Sequence, residues 1–261
     1  MYGFCSKRVR PWRLFTLLMC ISGVPMAAGA ATVTAPTPAP QTAKAAPSDA
    51  DLANTACAIG EEKFLPADYY YCLATQSYGE QHFDRAQKFF TTAASWASKP
   101  AQYVLGIMAF NGDHQPVNRP LALAWLSLAA ERPQSPFKTV YASAHARATQ
   151  AERQAADKLL TQMRPTYADA TAAVRAEKRY AQGMAMLERL NAGNGHYCME
   201  GITTPADPSI AGDPTQCPPV PAMAKTLDQA AAKVFDGWAG HVTVGPLQQV
   251  GAPVTAPHNP G

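Results

Sequence analysis

Several kinds of chemistry are missing from this 261-residue chain, and each absence narrows what it can be. There is no G-x-S-x-G, no H-E-x-x-H and no glycine-rich phosphate loop ending in Lys and Ser or Thr, so the common hydrolase, metalloprotease and nucleotide-binding sites have no foothold. No CxxC and no neighbouring histidine pair offers zinc a ligand set, and His82, His114, His145, His196, His241 and His258 never fall at ligand spacing. No cofactor or metal is therefore expected. Charged residues make up only 16% of the chain, and Lys and Arg form no cluster of the kind that tracks a nucleic-acid backbone. A long apolar run is missing too: Leu14–Val24 spans 11 residues, about half of the 20 that a membrane-crossing helix needs.

That short run has a different meaning. Lys7, Arg8, Arg10 and Arg13 precede it, and Ala28-Gly29-Ala30 follows with side chains small enough for signal peptidase, so residues 1–30 read as a secretory signal with the mature chain beginning near Ala31. Met19 stands before Cys20 where a lipobox would want Gly, Ala or Ser. Removing the signal takes four of the 22 basic residues and none of the 19 acidic ones, which converts a formal +3 into 18 against 19. The basic isoelectric point thus belongs to the signal. Residues 31–50 are Ala, Pro or Thr at 15 of 20 positions, a composition that stays solvated and extended, and read as a tether.

Export into an oxidising periplasmic or secreted setting leaves Cys57, Cys72, Cys198 and Cys217, an even number that suggests two disulfides. Four cysteines allow three pairings, and the local one, Cys57 with Cys72 and Cys198 with Cys217, is favoured.

The most informative stretch is 101–131. Its small and aromatic residues recur at helical spacing, and the series Ala86, Phe89, Ala93, Ala94 returns 36 residues later as Ala122, Trp125, Ala129, Ala130. A period in the mid-thirties describes α/α units that cannot bury their apolar faces alone and must stack. Ala101, Leu105, Gly106, Asn111, Gly112, Ala122, Trp125, Ala129, Ala130 and Glu131 resemble, without gaps, the Sel-one-like repeat, the short relative of the tetratricopeptide repeat. Ala109, His114 and Asn118 depart from that pattern where it favours Tyr, Gly and Asp, which bears on the loop more than on the helices. The earlier unit is more degenerate, with Leu73 and Ala74 in the Leu-Gly places only if its inter-helix loop is four residues shorter. The resemblance covers about 68–165 and implies an adaptor role.

The expected fold is all-α: a short right-handed α/α solenoid over 51–165, a closing helix over 166–195, and a mostly irregular, disulfide-linked appendage over 196–261. Helices are expected near 51–62, 67–79, 83–97, 100–110, 119–131, 137–147, 150–163 and 167–191, followed by a short one at 223–236 and one strand in 240–250. Thr149 and Glu152 form a capping box. Residues 137–163 suit a capping hairpin, which should stop at Pro165.

Two features remain as site candidates. Ser135-Pro136-Phe137-Lys138 matches S-x-x-K, but Pro133 and Pro136 make it a loop, whereas the nucleophile needs its lysine one helical turn along. Tyr71, Tyr78, Tyr103 and Phe110 are the second, an aromatic stripe on successive first helices, opposite Ala101, Leu105 and Met108 on the wheel. It either packs between repeats or lines a concave surface that grips a peptide. The reading is a non-enzymatic envelope adaptor or scaffold whose partner is another protein or peptide; the rivals are a cell-wall or β-lactam hydrolase and a purely structural envelope protein.

Overall fold

The computed structural model describes residues 46–199 and 217–238, and these are mostly helical with no strands among them. The order is α1 (Asp49–Ala53), a 3-10 turn (Glu61–Lys63), α2 (Pro66–Gly79), α3 (Phe83–Ser95), α4 (Lys99–Asn111), α5 (Arg119–Ala129), α6 (Lys138–Arg147), α7 (Gln150–Tyr167), α8 (Asp169–Asn191) and α9 (Val220–Val234). No helix among them is long and apolar enough to cross a membrane.

Two hairpins, α2–α3 and α4–α5, carry the repeated spacing and meet through α3 and α4. The small residues are what let them close. Ala86, Ala93, Ala94, Ala122 and Ala129 are completely buried, and a Cβ on Gly106 would stand 2.8 Å from Leu126 Cγ, so α4 and α5 touch backbone to side chain at that point. Ala101, Leu105 and Met108 face Ala86, Phe90 and Trp125, joining the two hairpins in one core. Gly112 ends α4 at φ 74°, a left-handed cap that suits glycine. Asn118 then opens α5 by accepting the Leu121 N–H at 3.0 Å, so the amide replaces the favoured Asp as a cap without loss.

Several expected boundaries shift, each for a physical reason. The helix expected over 51–62 ends at Ala53, and Gly60 at φ 102° turns the chain into the 3-10 turn. Its start, Asp49, falls inside the expected tether, because Ser48 and Asp51 form a capping box. The helix expected over 83–97 ends at Ser95, and Ala97 adopts φ 67°. Pro165 does not stop α7, which runs on to Tyr167. The carbonyls of the last turn find donors elsewhere: Arg164 receives Ala168 N–H at 3.1 Å, Thr166 receives Arg175 at 3.0 Å, and Tyr167 receives Gln102 Nε2 at 2.8 Å. Those bonds cap the end of the helix; the carbonyl that loses its donor to Pro165 is that of Thr161, one turn earlier. Nor do α6 and α7 close on each other as a hairpin; each packs on α5, around Leu123, Leu126, Ala144 and Ala156.

The region after Gly195 is more than an irregular appendage. Tyr197 N–H donates to Pro218 O at 3.1 Å and Val220 N–H to Gly195 O at 3.2 Å, clipping the chain into α9. Met223, Leu227 and Phe235, at most 2% exposed, share a core with Phe64, Leu65, Ala176, Leu187 and Met199. Each such side chain contributes on the order of 1.5–3 kcal/mol of transfer free energy, so α9 is packed into the fold by its buried edge. The strand expected in 240–250 lies outside the described residues. Both cysteine pairs stand at disulfide distance in the local pattern, with Cα separations of 5.6 Å for Cys57–Cys72 and 5.0 Å for Cys198–Cys217.

Candidate binding cleft

A buried ionic cluster sits where α4, α5, α8 and the end of α9 converge. Lys99 Nζ donates to Gln102 Oε1 at 3.1 Å, to Leu128 O at 3.0 Å and to Glu131 Oε1, and lies 3.0 Å from Asp169 Oδ1. Arg132 faces the same aspartate, with Nε 2.8 Å from Oδ2 and Nη2 3.4 Å from Oδ1, and its Nη1 donates to the carbonyls of Val234 and Asp236 at 2.8 and 2.9 Å. Glu131 also accepts the Asp169 N–H at 2.8 Å. Two cations therefore meet two anions, and among the described residues no buried side-chain nitrogen or oxygen is left without a partner. Such satisfaction is what makes burial of charge tolerable.

Above this cluster opens a cleft of about 380 Å³. The first turns of α2 supply Ala67, Asp68 and Tyr71, the start of α4 supplies Ser98 to Pro100, the 132–137 turn supplies Pro136 and Phe137, and α9 supplies Ala230, Lys233 and Val234. Asp68 reaches solvent at the mouth, yet enclosure by protein pushes its carboxyl up, with the Lys233 ammonium opposing. Burial likewise raises the Tyr71 phenol. The charges of the floor pair with one another, Asp68 and Lys233 stand exposed at the mouth, and much of the remaining lining is aromatic and apolar.

The aromatic stripe divides between this cleft and the opposite ends of the same helices. Tyr71 lines the cleft and packs on Phe90 at 5.7 Å between centroids. Tyr103 reaches it through Phe137, stacked at 4.6 Å and 18°. Tyr78 instead donates its phenol proton to Asp113 Oδ2 at 2.7 Å, and burial together with that bond pushes the phenol up to about 12. Asp113 thus serves Tyr78. Phe110 takes the Arg119 guanidinium over its ring at 4.8 Å. All four are half-buried. Tyr71 and Tyr78 adjoin the hairpin core, while Tyr103 and Phe110 adjoin the α5–α6–α7 core.

Ser135 Oγ donates to Ala129 O at 2.8 Å and Lys138 Nζ to Pro133 O at 2.6 Å, so both members of the S-x-x-K match bond to backbone in the turn. Among the described residues no group of three or more His, Cys, Asp or Glu is placed to hold a metal ion.

Asp68, Lys99, Arg132, Phe137 and Lys233 were not singled out by sequence reasoning. The available signal was weak: Lys99-Pro100 and Arg132-Pro133 place a cation directly before a proline at the edge of a helical unit. Comparison with family models, with curated proteins and with solved structures yields no match.

Proposed function

We propose that this chain is an exported Sel-one-like repeat protein that works as a non-catalytic adaptor, gripping a segment of another protein. The observation that carries the reading is the cleft itself: Tyr71, from the first helix of one hairpin, lines it, and so does Phe137, which is backed by Tyr103 from the first helix of the other. Rigid aromatic walls over a self-neutralised floor suit an extended, uncharged peptide, which gains apolar contact area and loses little solvation. The local cysteine pairs support an oxidising compartment, and terminal sequencing of exported material should find the mature start near Ala31.

The test is a displayed peptide library selected on the chain, followed by paired affinity and melting measurements on Tyr71→Ala and Tyr103→Ala. An aromatic anchor should weaken binding by about 2 kcal/mol, roughly thirtyfold, with a smaller loss of stability. Unchanged affinity in variants that lose about 3–5 kcal/mol of stability, the cost of truncating a core aromatic, would assign the stripe to inter-repeat packing and end the adaptor reading.

A further inference from the structure

Because α6 and α7 each pack on α5 but not on each other, a furrow is left between them whose lining comes from all three helices. Its wider end is a hollow of about 410 Å³ walled by Leu128 of α5, Tyr141 of α6 and Leu160 of α7. A smaller hollow continues it toward Leu123 and Ala156, and the two share Ser127, Tyr141 and Leu160. Helical spacing explains the continuity. On α7 the lining residues Arg153, Asp157, Leu160 and Arg164 follow one another at intervals of four, three and four, so they share one face of the helix. From Arg153 to Arg164 that face covers about 16 Å, the reach of about five residues of extended chain.

Charge decides what such a furrow can hold. Residues 138–164 carry Lys138, Arg147, Arg153, Lys158 and Arg164 against Glu152 and Asp157, in a mature chain that balances at 18 against 19. Glu152 is engaged in the Thr149 capping box with Arg119 acting on it, and Glu131, at the wide end, accepts from Lys99 and from the Asp169 N–H. Lys138 and Arg164 line that same end and are exposed. Lys138 Nζ donates to Pro133 O, and among the described residues the Arg164 guanidinium has no hydrogen-bond or ion-pair partner. A carboxylate placed there gains two cations without breaking an ion pair. At the narrow end Arg153 is bonded to Ala148 O, and Asp157 and His145 complete the lining. A phosphate backbone would meet Leu123, Leu160 and the Asp157 carboxylate there, whereas an extended segment that alternates apolar and acidic residues matches both floor and rim.

We infer that this furrow is a second docking surface, which takes an extended acidic segment of a partner protein, its apolar side chains over Leu128 and Leu160 and its Asp or Glu carboxylates on Lys138 and Arg164. The cationic excess is spread along 138–164 rather than focused on one point, which fits several side-chain carboxylates better than a single chain terminus. The 131–138 turn stands between the two surfaces, giving Arg132 and Phe137 to the cleft and Glu131 and Lys138 to the furrow. Each surface therefore has its own lining, as an adaptor that joins two segments requires.

The probe is a fluorescein-labelled, C-terminally amidated peptide, Gly-Glu-Leu-Glu-Leu-Glu-Gly, whose anisotropy on the full chain is compared with that of its Gln counterpart. The Glu peptide should bind at least about tenfold more tightly, and raising NaCl from about 50 to about 500 mM should remove most of that difference. Lys138→Glu combined with Arg164→Glu should weaken the Glu peptide at least about tenfold, with circular dichroism melting as the check on folding. Ser127→Leu, which fills the place where the hollows meet, should abolish binding; if it unfolds the chain, the double charge reversal decides alone. Equal binding of the Glu and Gln peptides, or indifference to the double reversal, overturns the inference. So does an oligodeoxythymidine of equal charge that binds as tightly and depends equally on Lys138 and Arg164, since the patch would then be a general anion surface. Library-selected peptides that depend on Tyr71 should bind the double variant unchanged, and their loss in folded protein would make the two surfaces one and end the inference. If no peptide depends on Tyr71, the cleft reading fails by itself, because the Glu and Gln comparison makes no use of Tyr71.

Discussion

Replacing Lys99 with Met puts the buried ionic cluster to a quantitative test. The methionine fills most of the volume of the lysine stem, so the change isolates the ammonium, which is almost fully buried and serves Gln102, Leu128, Glu131 and Asp169 together. Removing one partner from a buried ion pair leaves the other uncompensated and costs about 3–5 kcal/mol. Asp169 keeps Arg132, while Glu131, whose side chain is 25% exposed, recovers some hydration, so the lower half of that range is expected. At about 2–4 °C of melting temperature per kcal/mol for a domain of this size, the midpoint should fall by roughly 6–16 °C. Urea unfolding with disulfides intact supplies the free energy, and a double-mutant cycle with Glu131→Gln supplies the coupling. The double variant should be more stable than the sum of the single losses predicts by at least about 1 kcal/mol. A loss below about 1 kcal/mol for Lys99→Met, or strict additivity in the cycle, would refute the claim that this cluster holds the helices together.

Two further outcomes follow from the buried residues Glu61 and Gly106. Glu61 is buried, and desolvation first, then the nearby Asp68 and Glu62 carboxylates, push its carboxyl up to about 7. Between about 4.5 and 7 the native state therefore keeps a proton that the unfolded chain releases, so stability should fall as pH rises through that window, by on the order of 2 kcal/mol after discounting for screening. Urea midpoints at pH 5 and pH 8 should show this slope in the parent and a flatter one in Glu61→Gln; identical slopes would remove Glu61 as the source. Gly106→Val introduces atoms where a Cβ alone already meets Leu126 at 2.8 Å, and overpacking there should cost about 2–3 kcal/mol. Stability within about 0.5 kcal/mol of the parent would mean that α4 and α5 do not close at this point.

Both hairpins were legible because their information is local. Ala86, Ala93, Ala122 and Ala129 recur at helical spacing, and the structure buries every one of them. The Thr149–Glu152 box and the local cysteine pairs were legible for the same reason, since each joins residues near in sequence. Interactions between distant residues were not. Gln102 bonds to Tyr167, 65 residues on, and Arg132 to Val234, 102 residues on, and no spacing rule in a single sequence announces such pairs. Pro165 misled because it stands only two residues before the end of α7, which runs past it to Tyr167, where Gln102 and Arg175 satisfy the terminal carbonyls. The helix expected over 223–236 is present as α9, three residues earlier at its start, but its packing on Phe64, Leu65 and Leu187 joins residues too distant in sequence to be read from spacing.

Arg132 draws its last two acceptors from Val234 and Asp236, more than a hundred residues downstream, so half of the cluster's cationic charge lacks its full set of partners until the chain has been synthesised through Asp236. The first hairpins can collapse as they emerge, but their junction with α8 reaches its final hydrogen-bonding only when α9 arrives. Synthesis through Asp236 and locking of the hairpin junction are thus one event, and a chain interrupted anywhere before α9 carries an incompletely satisfied guanidinium at its centre.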